Sequence, residues 1–311
     1  NFNSYAAYED YNEKPFRFGS YTTLGEINIY TFLNEDLTKN YSRSLYIDSA
    51  LAKVEFENNG TKYAREYFVS YPDSVIVCKF SANQKEKQNL RLVFRPNPES
   101  YIEIKPIEKN EVLFCGRLKD NEMSFALRIR VEAKNGEVEI NEKGEISVKG
   151  SDEVVFLLAG DTDYFMNFTP DFSDCNTYVG INPIENTEKT FERIEGLTYQ
   201  DLKQRHLNDY CNLFNRVELN LNPNESFEDL PTDKRLERYR KGKADYGLEE
   251  LYFQFGRYLL IASSRKGNLP ANLQGIWARG VDGAWRVDYH NNINLQMNYW
   301  IACQGNLIEC N

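Results

Sequence analysis

The chain reads as a multidomain β + α protein: an antiparallel β domain, a connector, then the opening of a helical domain. Three observations predict this. Residues 20–165 carry many short strand-like runs punctuated by Asn and Gly turns, which argues for a large antiparallel sandwich over a parallel α/β sheet. After Asp161 the character changes, and residues 166–196 form a polar connector rich in Asn, Asp, Thr and Pro with few periodic positions. From Thr198 the apolar residues recur at helical spacing. At 311 residues the chain is also longer than most single domains, so two units are expected.

The elements follow in order. Asn58-Asn59-Gly60 is a strong hairpin signal between strands at 52–57 and 61–68, because paired left-handed positions suit Asn-Gly. Ser70-Tyr71-Pro72-Asp73 is a turn leading into a strand over 73–80, whose Val, Ile and Phe content suits a sheet. Further strands are expected at 90–95, 101–105, 111–117, 123–132, 136–140, 145–148 and 153–159. Thr198 is placed to cap a helix whose stripe is Leu202, His206, Tyr210, Leu213 and Phe214. Pro231-Thr232-Asp233-Lys234 opens the next helical stretch. Residues 245–263 carry a wide apolar face including Leu248, Leu251, Tyr252, Phe255, Tyr258, Leu259 and Ala262, consistent with a buried helix. Residues 291–301 start another. The expected boundaries are 1–165 for the β domain, 166–226 for the connector and a linker helix, and 227–311 for the helical opening.

Composition narrows the function. The balance of 37 basic to 47 acidic side chains gives a net charge of −10, which disfavours nucleic acid, since phosphate binding needs a basic stripe. No run of 18 apolar residues exists to span a membrane as a helix. The six cysteines (78, 115, 175, 211, 303 and 310) show no C-x-x-C spacing and are expected mostly as buried small hydrophobes. Two histidines, His206 and His290, argue against a histidine-based metal site, and no cofactor motif is present. The absence of an initiator Met and the packed character of residues 306–311 lead to the expectation of an internal piece of a larger protein.

The chemistry concentrates near the C-terminal end. Asn268-Leu-Pro-Ala-Asn272-Leu-Gln274-Gly-Ile-Trp277 and His290-Asn-Asn292-Ile-Asn294-Leu-Gln-Met297-Asn298-Tyr299-Trp300 gather amides, a histidine and tryptophans with scarcely a charge. Such a surface suits a neutral, hydroxyl-rich ligand: aromatic faces take the apolar patch of a sugar, and amides bond hydroxyls as both donor and acceptor. Asn272, Gln274, Trp277, Trp285 and His290 are the expected substrate contacts, with Trp277, Trp285 and His290 around one cavity. In extended backbone, His290, Asn292 and Asn294 would point to one side. The competing reading is that the amides satisfy backbone groups of a long connection. The local acids Asp282, Asp288 and Glu309 do not form a convincing glycosidase pair.

Several motifs together resemble glycoside hydrolase family 95, the inverting α-L-fucosidases and related α-L-galactosidases. They include Tyr41-x-Arg43-x-Leu45, Tyr63-x-Arg65-Glu66-x-Phe68, Ala159-Gly-Asp-Thr162, His206-x-x-x-Tyr210, Leu213-Phe-x-Arg216-Val217, Pro231-Thr-Asp-x-Arg235-Leu236 and Phe255-Gly-Arg257-Tyr-Leu-Leu260. The long runs 268–277 and 292–300 complete the set. The resemblance implies an N-terminal antiparallel β super-sandwich, a helical linker and the beginning of an (α/α)6 barrel. It implies that Asn292 and Asn294 orient the attacking water, that His290 contacts the sugar and tilts preference toward L-fucose, and that the general acid and base lie beyond Asn311. The expected partner is a fucosylated oligosaccharide or glycan, with a secreted, periplasmic or cell-surface location. The alternatives are an α-L-galactosidase of the same family and a non-catalytic carbohydrate-binding protein.

Overall fold

The computed structural model describes residues 22–221, 227–277, 280–281 and 284–310, apart from the side chain of Arg286. Among these, twelve strands form two antiparallel sheets. The smaller has four strands in the order β1 (Gly25–Thr31), β6 (Gln88–Pro96), β11 (Ile146–Ser151) and β10 (Glu137–Ile140). The larger has eight: β2 (Thr38–Tyr46), β3 (Leu51–Asn58), β4 (Thr61–Ser70), β5 (Val75–Ala82), β12 (Glu153–Thr162), β9 (Ser124–Lys134), β8 (Glu111–Leu118) and β7 (Ser100–Glu108). Each individually expected strand is present. The β3–β4 hairpin closes on Asn59 (φ 47°) and Gly60 (φ 75°), with Asn58 opposite Thr61. β2 is exposed along most of its length, so no apolar alternation marks it in the sequence.

β12 shows how the layers stack. Val154, Phe156 and Leu158 point into the core between the sheets with Leu90, Leu92, Phe114 and Ile129. The intervening Val155, Leu157 and Ala159 point the other way, into a second core with Phe68, Val77 and the helices. A strand covered on both faces reads as an unbroken apolar run, here Val154 to Ala159. A buried ion triad ties neighbouring strands: Arg128 and Arg130 donate to the two Glu111 carboxylate oxygens at 2.7 and 2.6 Å.

The helix covering that outer face is α1 (Pro183–Arg193), inside the segment expected to be an irregular connector. This corrects the sequence reading. Asn182 caps it through Ile184 N, Pro183 opens it, and its buried face is Pro183, Thr187, Thr190 and Phe191. Two of those four positions are threonines, so no hydrophobic period shows. α2 (Tyr199–Phe214) carries the expected stripe and a reciprocal Thr198–Asp201 capping box. Its first half packs on the sandwich through Tyr199 and Leu202. Its second half, Tyr210, Leu213 and Phe214, packs on the helical region through Leu260, Ile261, Ala302 and Leu307.

α3 (Thr232–Arg240), α4 (Tyr246–Ser263), α5 (Asn294–Tyr299) and α6 (Ile301–Gln304) follow. α4 is only partly buried: Leu248, Arg257, Leu260 and Ile261 are covered, but Tyr252 is 80% exposed. Helical spacing reveals an apolar face without saying what covers it. The cysteine expectation also needs correction. Cys115 and Cys310 are buried, but Cys175 and Cys303 are exposed and all six thiols are free.

Candidate active site

The amide-rich loops are held between the end of α4 and the start of α5. Tyr299, near the end of α5, places its hydroxyl 2.8 Å from Ser264 Oγ, where α4 ends, and accepts from Ala271 N at 2.7 Å. Asn298 Nδ2 donates to Asn272 O at 3.0 Å. The segment after Ala284 is laced to the first loop: Leu273 N donates to Asp288 O (2.9 Å), Gln274 Nε2 to Ala284 O (2.8 Å) and Tyr289 Oη to Pro270 O (3.1 Å). The sandwich adds its own support. Tyr71, in the β4–β5 turn, donates to Lys266 O at 2.8 Å, and the Arg265 guanidinium lies 3.9 Å over its ring. Arg265 also pairs with Asp209 of α2 at 2.6 Å. None of these clamps was visible as a pair in the sequence, since each partner lies far along the chain.

The expected site residues divide into groups. Asn272 is buried and committed to the loop: Oδ1 accepts from Gln274 N at 3.1 Å, and its backbone exchanges hydrogen bonds with Gly275. That is the competing reading, and it holds at this position. Gln274 is tied through Nε2, and its buried Oε1 has no partner among the described residues. Trp277 lies against Gly275, where a Cβ would meet its ring at 2.8 Å. Trp285 meets His290 edge to face, with ring centroids 5.8 Å apart. Trp277 and Trp285 are 48% and 74% exposed, so their rings lie open at the surface.

Asn292 is exposed and Asn294 half-buried at the first turn of α5. The extended spacing expected for His290, Asn292 and Asn294 is not the one observed. His290 has φ 45°, residues 291–293 form a turn, and Asn294 begins the helix. Local turn closure outweighs the extended form, so the three side chains do not share a pleat face. His290 gains a partner that sequence reasoning left aside. The Asp288 carboxylate lies against His290 Nδ1. Trp285 (φ 57°), Val287 (φ 55°) and His290 all sit in left-handed backbone. For a β-branched residue this is uncommon, and such strain gathers at ligand sites.

Neither described acid near this surface resembles a poised general acid. Asp288 is engaged with His290. Glu309 pairs with Arg216 at 2.5 Å, and that contact holds its carboxyl below the usual range, opposite to what a proton donor at neutral pH needs. Asp282 lies outside the described residues.

Residues 198–311 match the glycosyl hydrolase family 95 catalytic domain, and residues 2–167 match the glycosyl hydrolase family 65 N-terminal domain. Alpha-L-fucosidase 2 of Arabidopsis thaliana is 32% identical over 93% of this chain, and "Probable alpha-fucosidase A" of Aspergillus niger is 32% identical over 96%. The chain belongs to glycosyl hydrolase family 95. This family-95 chain spans 37% of the length of each of those two relatives. A solved structure named as a kojibiose phosphorylase from human microbiome shares its fold, with a TM-score of 0.53 at 9% identity over 81% of this chain and 33% of that one. The family-95 fold is thus an N-terminal antiparallel β sandwich joined by α2 to the first helices of a helical domain.

Proposed function

We propose that this family-95 protein cleaves terminal α-L-fucosyl residues from oligosaccharides or glycans with inversion at the anomeric carbon. The observation that carries the reading is the family-95 catalytic match over 198–311, which contains the whole amide-rich surface. In the proposed reaction a general acid protonates the glycosidic oxygen as the C–O bond breaks. Water attacks the anomeric carbon from the opposite face and yields its proton to a general base. Asn292 and Asn294 hold and polarise that water; an amide is too weak a base to take its proton. His290, oriented by Asp288, contacts the sugar beside Trp285, and Gln274 Oε1 accepts from a hydroxyl. We place the acid and base in the part of the family's length that this chain does not span. The glycan substrate favours a location outside the cytoplasm.

The test is a rate and product analysis of the family-length protein. Matched aryl α-L-fucoside and α-L-galactoside should be hydrolysed with preference for the fucoside, and proton NMR should show β-L-fucose as the first product. A preference for the galactoside, or first release of the α-anomer, overturns the reading. Asn292→Ala and Asn294→Ala should each lower kcat by about a hundredfold, as expected when one positioning contact to the reacting group is lost.

A further inference from the structure

A cavity of about 350 Å³ opens at one end of the sandwich, between β4 and β5 of the large sheet and β6 and β11 of the small one. Among the described residues its charged lining consists of Arg65, Lys87 and Lys149, with no carboxylate, in a chain whose net charge is −10. None of the three cations has a carboxylate partner among the described residues. Arg65 is held in place by rings, its guanidinium carbon 4.9 Å from the Phe56 centroid and 5.7 Å from that of Phe80. Lys87 and Lys149 are exposed at the rim.

Two further features point to a ligand. Gln88, 3% exposed, lines the cavity with a buried Nε2 that has no partner among the described residues. A buried amide donor left unpaired is costly and rare, so a ligand acceptor is the natural complement. The register of β11 against β6 shifts between Val148 and Ser151, with Gly150 at φ 62° and its N–H bonded to Asn89 Oδ1 at 3.0 Å. This irregularity carries Lys149 to the rim, and bulges recur where a strand re-aims a side chain next to a site. Phe32, 68% exposed, adds an aromatic face to the same lining.

We propose that this cavity binds an acidic saccharide unit, carboxylated or sulfated, separately from the amide-rich surface. The cations meet the acid, Gln88 Nε2 donates to a ring or hydroxyl oxygen, and Phe32 takes an apolar sugar face. The volume lies at the small end of ligand sites and fits a mono- or disaccharide unit. The anionic part rests on the lining; the saccharide part rests on the family. Binding here does not require the fucosidase reading to hold.

Isothermal titration calorimetry of the chain tests this with trigalacturonate, a sulfated galactose oligosaccharide, neutral galactotriose and sodium sulfate. At least one acidic saccharide should bind, and the neutral trisaccharide should be weaker by about tenfold or more, as should the K87A/K149A double variant toward the acid, from the loss of two exposed charge contacts. Both lysines are exposed, so the variant should fold. Gln88→Glu should abolish acid binding by placing like charge in the cavity. Equal binding of galactotriose, sodium sulfate binding as tightly as either acidic saccharide, an unchanged double variant, or no binding at all would each overturn the proposal. Fucoside hydrolysis is measured separately and should not respond to K87A/K149A.

Discussion

Arg257 is fully buried and has no carboxylate partner among the described residues. Its donors meet Gly305 O at 3.0 Å, Leu213 O at 3.0 Å, Phe214 O at 2.7 Å and Gln254 Oε1 at 2.9 Å. One guanidinium thus closes the C-terminal end of α2 onto α4 and the residues after α6. Arg257→Met would leave several buried carbonyls unpaired at about 1–3 kcal/mol each, so urea denaturation should show a loss of about 3–5 kcal/mol. A loss under about 1 kcal/mol would mean that water replaces the fork without strain. His206 is a second buried polar residue of α2. Its ring stacks on Phe68 at 4.9 Å, and Nε2 lies 2.8 Å from Ser49 O. Burial lowers its pKa below the usual 6.5; the bond to Ser49 and the Asp209 charge oppose this less strongly. The unfolded imidazole therefore binds its proton first as pH falls. Stability should be full above about pH 6.5, fall below it, and level off beneath the folded pKa. Denaturation midpoints across that window should show the step in the parent and not in His206→Phe. Both residues stand out in the sequence, His206 on its stripe and Arg257 in its motif, but their carbonyl partners could not be read there.

Caps and periods explain which elements were legible. The Asn-Gly hairpin, the Thr198 cap and the Pro231 start all depend on neighbours within four positions, and all formed as expected. α1 escaped because its buried face includes Thr187 and Thr190. Thr198→Ala should cost about 1 kcal/mol in chemical denaturation, the usual value for a lost N-cap, with the Asp201 half of the box lost too. Because α2 packs on both the sandwich core and the helical core, probes of the two regions should shift together. Separate shifts would show that α2 is not the mechanical link between them. The turn over 291–293 is the element whose misreading mattered most. Period-two logic applies only to extended backbone, and His290 in a left-handed conformation ends that condition.

For the whole molecule, the exposed Tyr252 stripe of α4 and the 37% span of the relatives bear on the same question. If acid and base lie outside this span, the 311 residues alone should release fucose at least about a hundredfold more slowly than a family-length protein, since general acid–base assistance contributes that much or more. Comparable initial rates on an aryl fucoside would place both groups within this chain. The sequence by itself determined the order of the strands from β3 to β12 and of the helices from α2 to α5, the Thr198 cap, the family and the stretch that holds the amide-rich surface. These are written in turn chemistry, in periods of two and about 3.6, and in contiguous motifs. Only the tertiary structure decided that Asn272 serves its own loop, that Asp288 lies against His290, and that Tyr299 clamps the first loop to the end of α4. It alone gathered Arg65, Lys87 and Lys149 from three separate stretches of chain into one cavity. Such pairings depend on which distant surfaces meet, and burial, unlike local spacing, is a property of the packed whole.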